Sequence, residues 1–353
     1  MGNKCCEYGK SFLILKTMRR TINSSANSII EIDNADALDC YEHWPAPASI
    51  IIDGPYGIGG FPGDPTDTVE LPKWYAPHIA AWSKAALPYT TLWFWGTELG
   101  WSRVNQLLEL NGWHYEQAFI WNKGIGHAAG NVNSLTIRRA PVVTEICVRY
   151  TRDVLLPNRG GEMLSLQNWL RDEWSLTGLP FSKTNEACGV KNAATRKYFT
   201  KDDLWYFPPA ETLERIVAFA NEFGNSQFAP YFSINGRPFQ VETWKLMRAK
   251  WNHIHGYTNV WDVPSLHGKE RLKDARTGKS IHYNQKPSEI INYLIQTTSD
   301  PGDVIWDPFA GLATVAFCCQ NLGRDCYCSE INEETFDVAS DRIADHSLLF
   351  NVG

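Results

Sequence analysis

The sequence predicts an α/β protein: a doubly wound, mostly parallel sheet with helices on both faces and a smaller domain inserted into it. Two stretches in which strand and helix patterns alternate, 29–150 and 281–345, predict the sheet. Between them, residues 151–256 lose that rhythm, are dense in Trp, Tyr and Phe, and carry the turn-forming runs "PNRGG", "FPPAE" and "NGRPF". The chain therefore divides into an N-terminal extension (1–28), a first half of the main domain (29–150), the insertion (151–256) and a second half (257–353).

The elements follow in order. "IIEI" at 29–32 and "SIIID" at 49–53 read as strands, the second with the run of isoleucines that a strand buried on both faces requires. A helix through Trp74–Ala86 leads to strand "TTLWFWG" at 90–96, and a second helix covers Trp101–Leu110. "YEQAFIWNKG" at 115–124 and "VVTEICVRYT" at 142–151 are expected as edge strands. After the insertion come a helix through "PSEIINYLIQTTS", strand "DVIWD" at 303–307, helix "ATVAFCCQNL", strand "CYCSE" at 326–330 and a closing helix to about His346.

Composition narrows the class. A chain of 353 residues with 44% hydrophobic and 20% charged residues is globular and long enough for one large domain and a smaller one. No apolar stretch reaches the roughly 18 residues of a membrane span, and "FLIL" at 12–15 is too short for a signal-peptide core, so a cytoplasmic protein without membrane contact is expected. Nine cysteines in such a chain read as buried thiols, and "CCQNLGRDCYC" at 318–328 has no neighbouring His, so no metal is expected. "HIH" at 253–255 lacks a third ligand and reads as polar contact. The opening "MGNKCC" has Cys6 where an acylation signal carries Ser or Thr, and reads as coincidence. The net charge of −6 hides a segregation: residues 181–256 hold ten Lys/Arg against seven Asp/Glu, and 267–286 hold six against two. A local basic face for nucleic acid is compatible with that distribution.

Chemistry enters with "VIWDPFAGLATVAF" at 304–317, which reads as strand, glycine-bearing turn and helix. Such a turn offers backbone N–H groups and a helix N-terminus to a ligand. The next strand ends in Glu330, about 20 residues on, where nucleotide-binding sheets place an acid for ribose hydroxyls. The turn carries Asp307 and no lysine for phosphates, which favours a nucleoside without a triphosphate. Earlier in the chain, "SIIIDGPYGIGG" at 49–60 ends another strand of the same sheet in Asp53, Gly54, Pro55 and Tyr56. A ligand held at Asp307 and Glu330 would face them across the carboxyl edge.

These motifs, in this order, resemble the permuted, beta-class S-adenosylmethionine-dependent amino-DNA methyltransferases, the DNA methylase N-4/N-6 family, in which "[DNS]PP[YFW]" precedes "DPFxGSGT". "NADALDCY" at 34–41, "FIWNKG" at 119–124, "TEICVRYTR" at 144–152, "NVWDVP" at 259–264 and "HYNQKPSEIINYLI" at 282–295 match further segments of the family. The resemblance implies a Rossmann-like methyltransferase sheet with an inserted target-recognition region. It implies S-adenosylmethionine as cofactor, bound by Asp36, Lys286, Pro287, Asp307, Pro308, Phe309, Gly311, Glu330 and Asn332. It implies methyl transfer to adenine N6 in double-stranded DNA, with cytosine N4, or a catalytically degenerate DNA- or cofactor-binding relative, as alternatives. The base would be flipped and stacked on Tyr56, while Asp53 and the Gly54 carbonyl accept the amine hydrogens and Pro55 completes the tetrapeptide. Arg196, Lys197, Arg237, Lys245, Arg248 and Lys250, interleaved with Tyr198, Trp205, Tyr231 and Trp244, are the expected DNA contacts of the insertion. A homodimer and a cognate restriction endonuclease are the protein partners the family suggests. Two departures stand out: Gly54 replaces the first proline, giving up its fixed φ, and "GLAT" at 311–314 replaces "GSGT", so that Ala313 narrows the turn's geometry.

Overall fold

The computed structural model describes residues 18–23, 28–59, 63–128, 138, 140–202, 204–266, 270–273, 278, 281 and 284–344; "MGNKCC" and much of the basic window 267–286 lie outside them. The first half supplies β1 (Met18–Asn23), β2 (Ile29–Asn34), β3 (Ser49–Ile52), α1 (Leu71–Ala85), β4 (Thr91–Gly96), α2 (Glu98–Leu110), β5 (Trp113–Asn122) and β6 (Thr144–Arg152). The inserted segment has two short hairpins and five helices among its described residues: β7 (Leu155–Pro157), β8 (Met163–Ser165), α3 (Leu166–Leu176), α4 (Lys183–Ala187), α5 (Ala194–Tyr198), α6 (Ala210–Phe223), β9 (Ser233–Ile234), β10 (Arg237–Pro238) and α7 (Val241–Lys245). The second half adds β11 (Val260–Trp261), α8 (Ser288–Thr298), β12 (Val304–Asp307), α9 (Thr314–Leu322), β13 (Asp325–Ser329) and α10 (Glu333–Ala344).

Among the described residues, nine strands form one sheet in the order β1-β2-β13-β12-β3-β4-β6-β5-β11. The five strands from β2 to β4 run parallel; β6 is antiparallel to both β4 and β5. Alternation along each strand sorts side chains into two cores. Ile51, Trp93, Trp95 and Ile305 face α8, α9 and α10, whereas Ile50, Ile52, Leu92, Phe94 and Trp306 face α1 and α2. Ile50, Ile51 and Ile52 are all fully buried, each stabilising the sheet by about 1.5–3 kcal/mol, which is what a strand covered on both faces requires.

Two expectations are corrected. β6 is interior, because Cys147, Val148 and Tyr150 are fully buried and its backbone pairs on both sides; β5 in turn is capped by the two residues of β11. Part of the expected N-terminal extension belongs to the sheet, since β1 pairs antiparallel with β2 along six residues. Arg19 of β1 is tied to Glu31 and to the buried Asp33, and Arg20 to Asp337 and Asp341 of α10.

The insertion has a core of its own, from Leu156 to Trp244, built on Trp169, Trp174, Leu170, Ile216, Tyr231 and Phe232. At its centre Arg159 pairs with the buried Glu173 at 3.1 Å and donates to the carbonyls of Phe228 and Pro230, so the buried carboxylate is compensated. Tyr231 and Trp244, expected among the DNA-facing aromatics, are fully buried here, and Tyr198 and Trp205 pack against the same cluster.

Topology decides where the chemistry gathers. The parallel strands β2, β13, β12 and β3 all deliver their carboxyl ends to one edge, which places Asp36, Glu330, Asp307 and Asp53 side by side in space. Because β6 runs the other way, its first residues, Thr144 and Glu145, arrive at that same edge, next to the last residues of β5. Lys286 stands there too, just before α8.

Candidate active site

A cavity of about 770 Å³ opens at this edge, within the range of roughly 300–1,000 Å³ common for small-molecule sites. Its lining includes Asp36, Asp53, Gly54, Pro55, Tyr56, Lys286, Asp307, Pro308, Phe309, Gly311, Glu330 and Asn332, every expected catalytic and cofactor residue except Pro287. Pro287 instead stands at the N-cap of α8, with φ −61°, where its missing N–H costs nothing.

One end of the cavity is a charge-compensated network. The Lys286 ammonium, nearly buried, donates to both oxygens of Asp53 at 2.7 Å and lies 3.3 Å from Glu145 Oε2. Glu145 is also paired with Lys123. The Tyr56 hydroxyl donates to Asp53 Oδ1 at 2.8 Å. Lys286, expected to face the cofactor, is therefore engaged by the Asp53 carboxylate, because burial leaves its charge in need of a partner. Burial alone would pull the ammonium down, but Asp53 and Glu145 more than offset it and hold Lys286 above its ordinary value. Burial pushes the Glu145 carboxyl up, and Lys286 and Lys123 reverse that to a net lowering. Tyr56 is driven well above the usual phenol range, by burial first and by Asp53 and Glu145 next.

Glu145 and Lys123 were not among the residues singled out in the sequence, although both lie inside quoted segments. The signal was a carboxylate opening one apolar strand and a lysine following another; reading it required knowing that the two strands run antiparallel.

The other end is acidic and uncompensated. Among the described residues neither Asp307, Glu330 nor Asp36 forms an ion pair. Glu330 accepts the N–H groups of Gly311 (2.9 Å) and Asn332 (2.8 Å), and Asp36 accepts that of Leu38 at 3.0 Å. Asp307 is almost fully buried; burial, then the nearby Asp53, drive its carboxyl well upward against the Phe309 N–H. An aromatic wall of Trp74, His78 and Phe309 closes one side, with Trp74 and His78 stacked at 4.7 Å and Phe309 5.3 Å from His78. Buried His78, hydrogen-bonded to the Tyr41 hydroxyl, is lowered to about 4 by desolvation and is neutral near pH 7.

The two departures in sequence differ in their structural setting. A Cβ on Gly54 would lie 2.6 Å from the Tyr75 hydroxyl and 2.8 Å from the Phe309 ring. That hydroxyl is anchored by donating to the Pro55 carbonyl at 3.0 Å. Glycine at 54 thus answers a lack of space, where the sequence had suggested a loss of rigidity. Ala313, by contrast, keeps a glycine-like left-handed conformation (φ 53°, ψ 42°) as N-cap of α9.

The expected DNA contacts divide. Arg196, Lys197 and Arg237 are exposed and form no ion pair among the described residues, and Arg248, also exposed, lies over the Phe207 ring. Lys245 is paired with Glu242. Lys250 is held at 2.7 Å by both Asp300 and Asp303, which precede β12, so it sits at the amino end of the strand whose carboxyl end bears Asp307. Its charge is satisfied and it faces the wrong edge of the sheet for the cavity.

The sequence model of the N6/N4 type described as "DNA methylase" matches residues 48–341. The chain belongs to the DNA methylase family. Two curated relatives of the chain are "Type II methyltransferase M.HinfI" of Haemophilus influenzae, 38% identical over 85 residues, and "Type II methyltransferase M.HpaI" of Haemophilus parainfluenzae, 30% identical over 86. Each alignment covers 24% of this chain, and the chain spans about a quarter of the relatives' length, 23% and 26%. In fold it is similar to "PvuII DNA methyltransferase (cytosine-N4-specific)", with a TM-score of 0.51 at 10% identity over 90% of this chain and 87% of that one.

The cavity suits the cofactor the motifs imply. S-Adenosylmethionine carries a sulfonium and an ammonium, and the site offers carboxylates that have no cation partner among the described residues, including Glu330, whose carboxylate is an acceptor for hydroxyls as well as for backbone N–H groups. The wall of Trp74, His78 and Phe309 is apolar enough to hold a heterocycle.

Proposed function

We propose that the methylase transfers a methyl group from S-adenosylmethionine to the exocyclic N6 amine of adenine in double-stranded DNA, at a specific sequence and after extruding the base. The observation that supports this best is the Asp53 carboxylate. It stands at the junction of the two ends of the cavity, held among the described residues by three hydrogen bonds that leave one lone-pair site on Oδ2. An exocyclic amine is a poor nucleophile because its lone pair is delocalised into the ring. Asp53 Oδ2 accepts one of its hydrogens and the Gly54 carbonyl the other, drawing the nitrogen toward tetrahedral geometry. The Tyr56 ring lines the cavity beside them and supplies the stacking face that offsets the few kcal/mol of unstacking. The cofactor, when bound, supplies an electrophilic methyl; the chain supplies placement, which alone is worth several kcal/mol. An aspartate heading the tetrapeptide favours adenine over cytosine.

The insertion, with its own core and exposed Arg196, Lys197, Arg237 and Arg248, reads the target, without Lys250. The type II designation of both relatives supports an endonuclease partner of the same specificity.

Methylation-aware sequencing of DNA from cells expressing the chain tests base and site together, with N6-methyladenine at one short sequence as the expected outcome. In vitro, Asp53→Ala is expected to lose methyl transfer by about 1,000-fold while cofactor affinity changes less than about threefold. Methylated cytosine alone, or full activity in Asp53→Ala, overturns the reading.

A further inference from the structure

We infer that Lys286, held by Glu145 and Lys123, is a positioning residue that fixes the Asp53 carboxylate so that a single oxygen, Oδ2, is presented to the substrate amine. The inference rests on the methyltransferase reading and goes beyond it by assigning a role to a lysine that does not touch the reacting atoms.

The geometry is a matter of counting acceptor sites. An ionised carboxylate offers four lone-pair sites. Oδ1 accepts from Tyr56 at 2.8 Å and from Lys286 at 2.7 Å and is full; Oδ2 accepts from Lys286 at 2.7 Å and, among the described residues, keeps one site. A lysine side chain is long and rotatable, so it fixes a carboxylate only where it is fixed itself. Here it is nearly buried and anchored from behind by Glu145, which is held in turn by Lys123. The Lys123 ammonium lies 4.7 Å from the Trp121 ring and that of Lys286 lies 5.1 Å from Trp95, so aromatic faces line the relay. The four charges alternate in sign, from Lys123 through Glu145 and Lys286 to Asp53. Three strand ends and one helix start contribute to it, from β5, β6, β3 and α8. No single segment of sequence could assemble the relay, which is why its members appear as separate motifs.

Such a residue affects turnover more than binding. Lys286→Met is expected to lower kcat at least 100-fold, with the KM for DNA and the Kd for S-adenosylmethionine, measured by calorimetry, within threefold of wild type. That cofactor affinity also reports a folded site. Glu145→Gln is expected to lower kcat about 10-fold and to cost nothing further in the Lys286→Met background, as members of one network should. In Lys286→Ala, added ethylammonium should restore part of kcat, and ethanol, its neutral counterpart in size, should not. Turnover within threefold of wild type in Lys286→Met, or a loss confined to cofactor affinity, overturns the inference while leaving the methyltransferase reading intact. Wild-type protein that binds cofactor but methylates no DNA overturns both.

Discussion

The two ends of the cavity are built from opposite electrostatics. Around Asp53 every described charge has a partner, in the relay of Lys123, Glu145 and Lys286. Around Asp307 and Glu330 carboxylates are buried against backbone N–H groups and aromatic rings, with no described cation beside them. The first end is complete without a ligand and serves orientation. The second end offers its carboxylates to a ligand that brings positive charge. A matching contrast holds for the backbone: Gly54, with an ordinary φ, is glycine for want of space, whereas Ala313 has a glycine-like φ and yet carries a methyl.

The sharpest way to break the comparison is to add one methyl at the first end. Gly54→Ala places a Cβ 2.6 Å from the Tyr75 hydroxyl and 2.8 Å from Phe309, closer than real contacts allow. Tyr75 is fully buried and tethered to Pro55, so the shift falls on the backbone between Asp53 and Tyr56. A misplacement approaching 1 Å there is expected to lower kcat about 100-fold in a tritiated methyl-transfer assay. Unchanged turnover would mean that Phe309, at the cavity wall, gives way instead.

How much of this was legible in the sequence follows from what each feature depends on. Asp53, Tyr56, Asp307 and Glu330 were readable because each closes or follows a strand whose apolar run is local, and parallel strands send all such ends to one edge. Glu145 was not, because its place depends on the antiparallel direction of β6, a tertiary fact. Lys286 was found, but its pairing with Asp53 was not, since sequence order puts it with the cofactor half while α8 also delivers it to Asp53. That Lys250 is ion-paired and Tyr231 and Trp244 are buried was not legible for a common reason: composition counts charges and rings without showing which are already engaged by Asp300 and Asp303 or by the insertion's own core.

The uncompensated end makes a prediction about pH. Burial and Asp53 hold the Asp307 carboxyl well above its ordinary value, so in the empty protein it retains a proton to higher pH than a free carboxylate does. A cationic ligand favours the ionised form and expels that proton. Affinity for S-adenosylmethionine therefore rises with pH until Asp307 is ionised in the empty protein, by at most about tenfold per unit for one linked proton. Calorimetry in buffers of different ionisation enthalpy should register the release, and Asp307→Asn should abolish it. A proton taken up on binding, or none moved, would remove the contrast between the two ends.

The smallest expected effect comes from the converse substitution, removing the methyl at Ala313. Three terms compete. Left-handed backbone at a non-glycine residue costs about 1–2 kcal/mol, which glycine would relieve. Glycine brings back about 0.5–1 kcal/mol of conformational freedom in the unfolded chain. The Ala313 methyl is fully buried among the residues of the first core, and its loss forfeits about 0.8 kcal/mol. The terms nearly cancel, so Ala313→Gly should change stability by less than about 1 kcal/mol in denaturant unfolding and leave turnover within threefold. A clear stabilisation would show that the methyl packs poorly and the turn is strained. A clear loss would show that packing fixes this turn. Near-neutrality here, beside a large loss at Gly54, would show that the same group of atoms is tolerated or excluded according to the space around it, and that neither departure from the motif is by itself a mark of a disabled site.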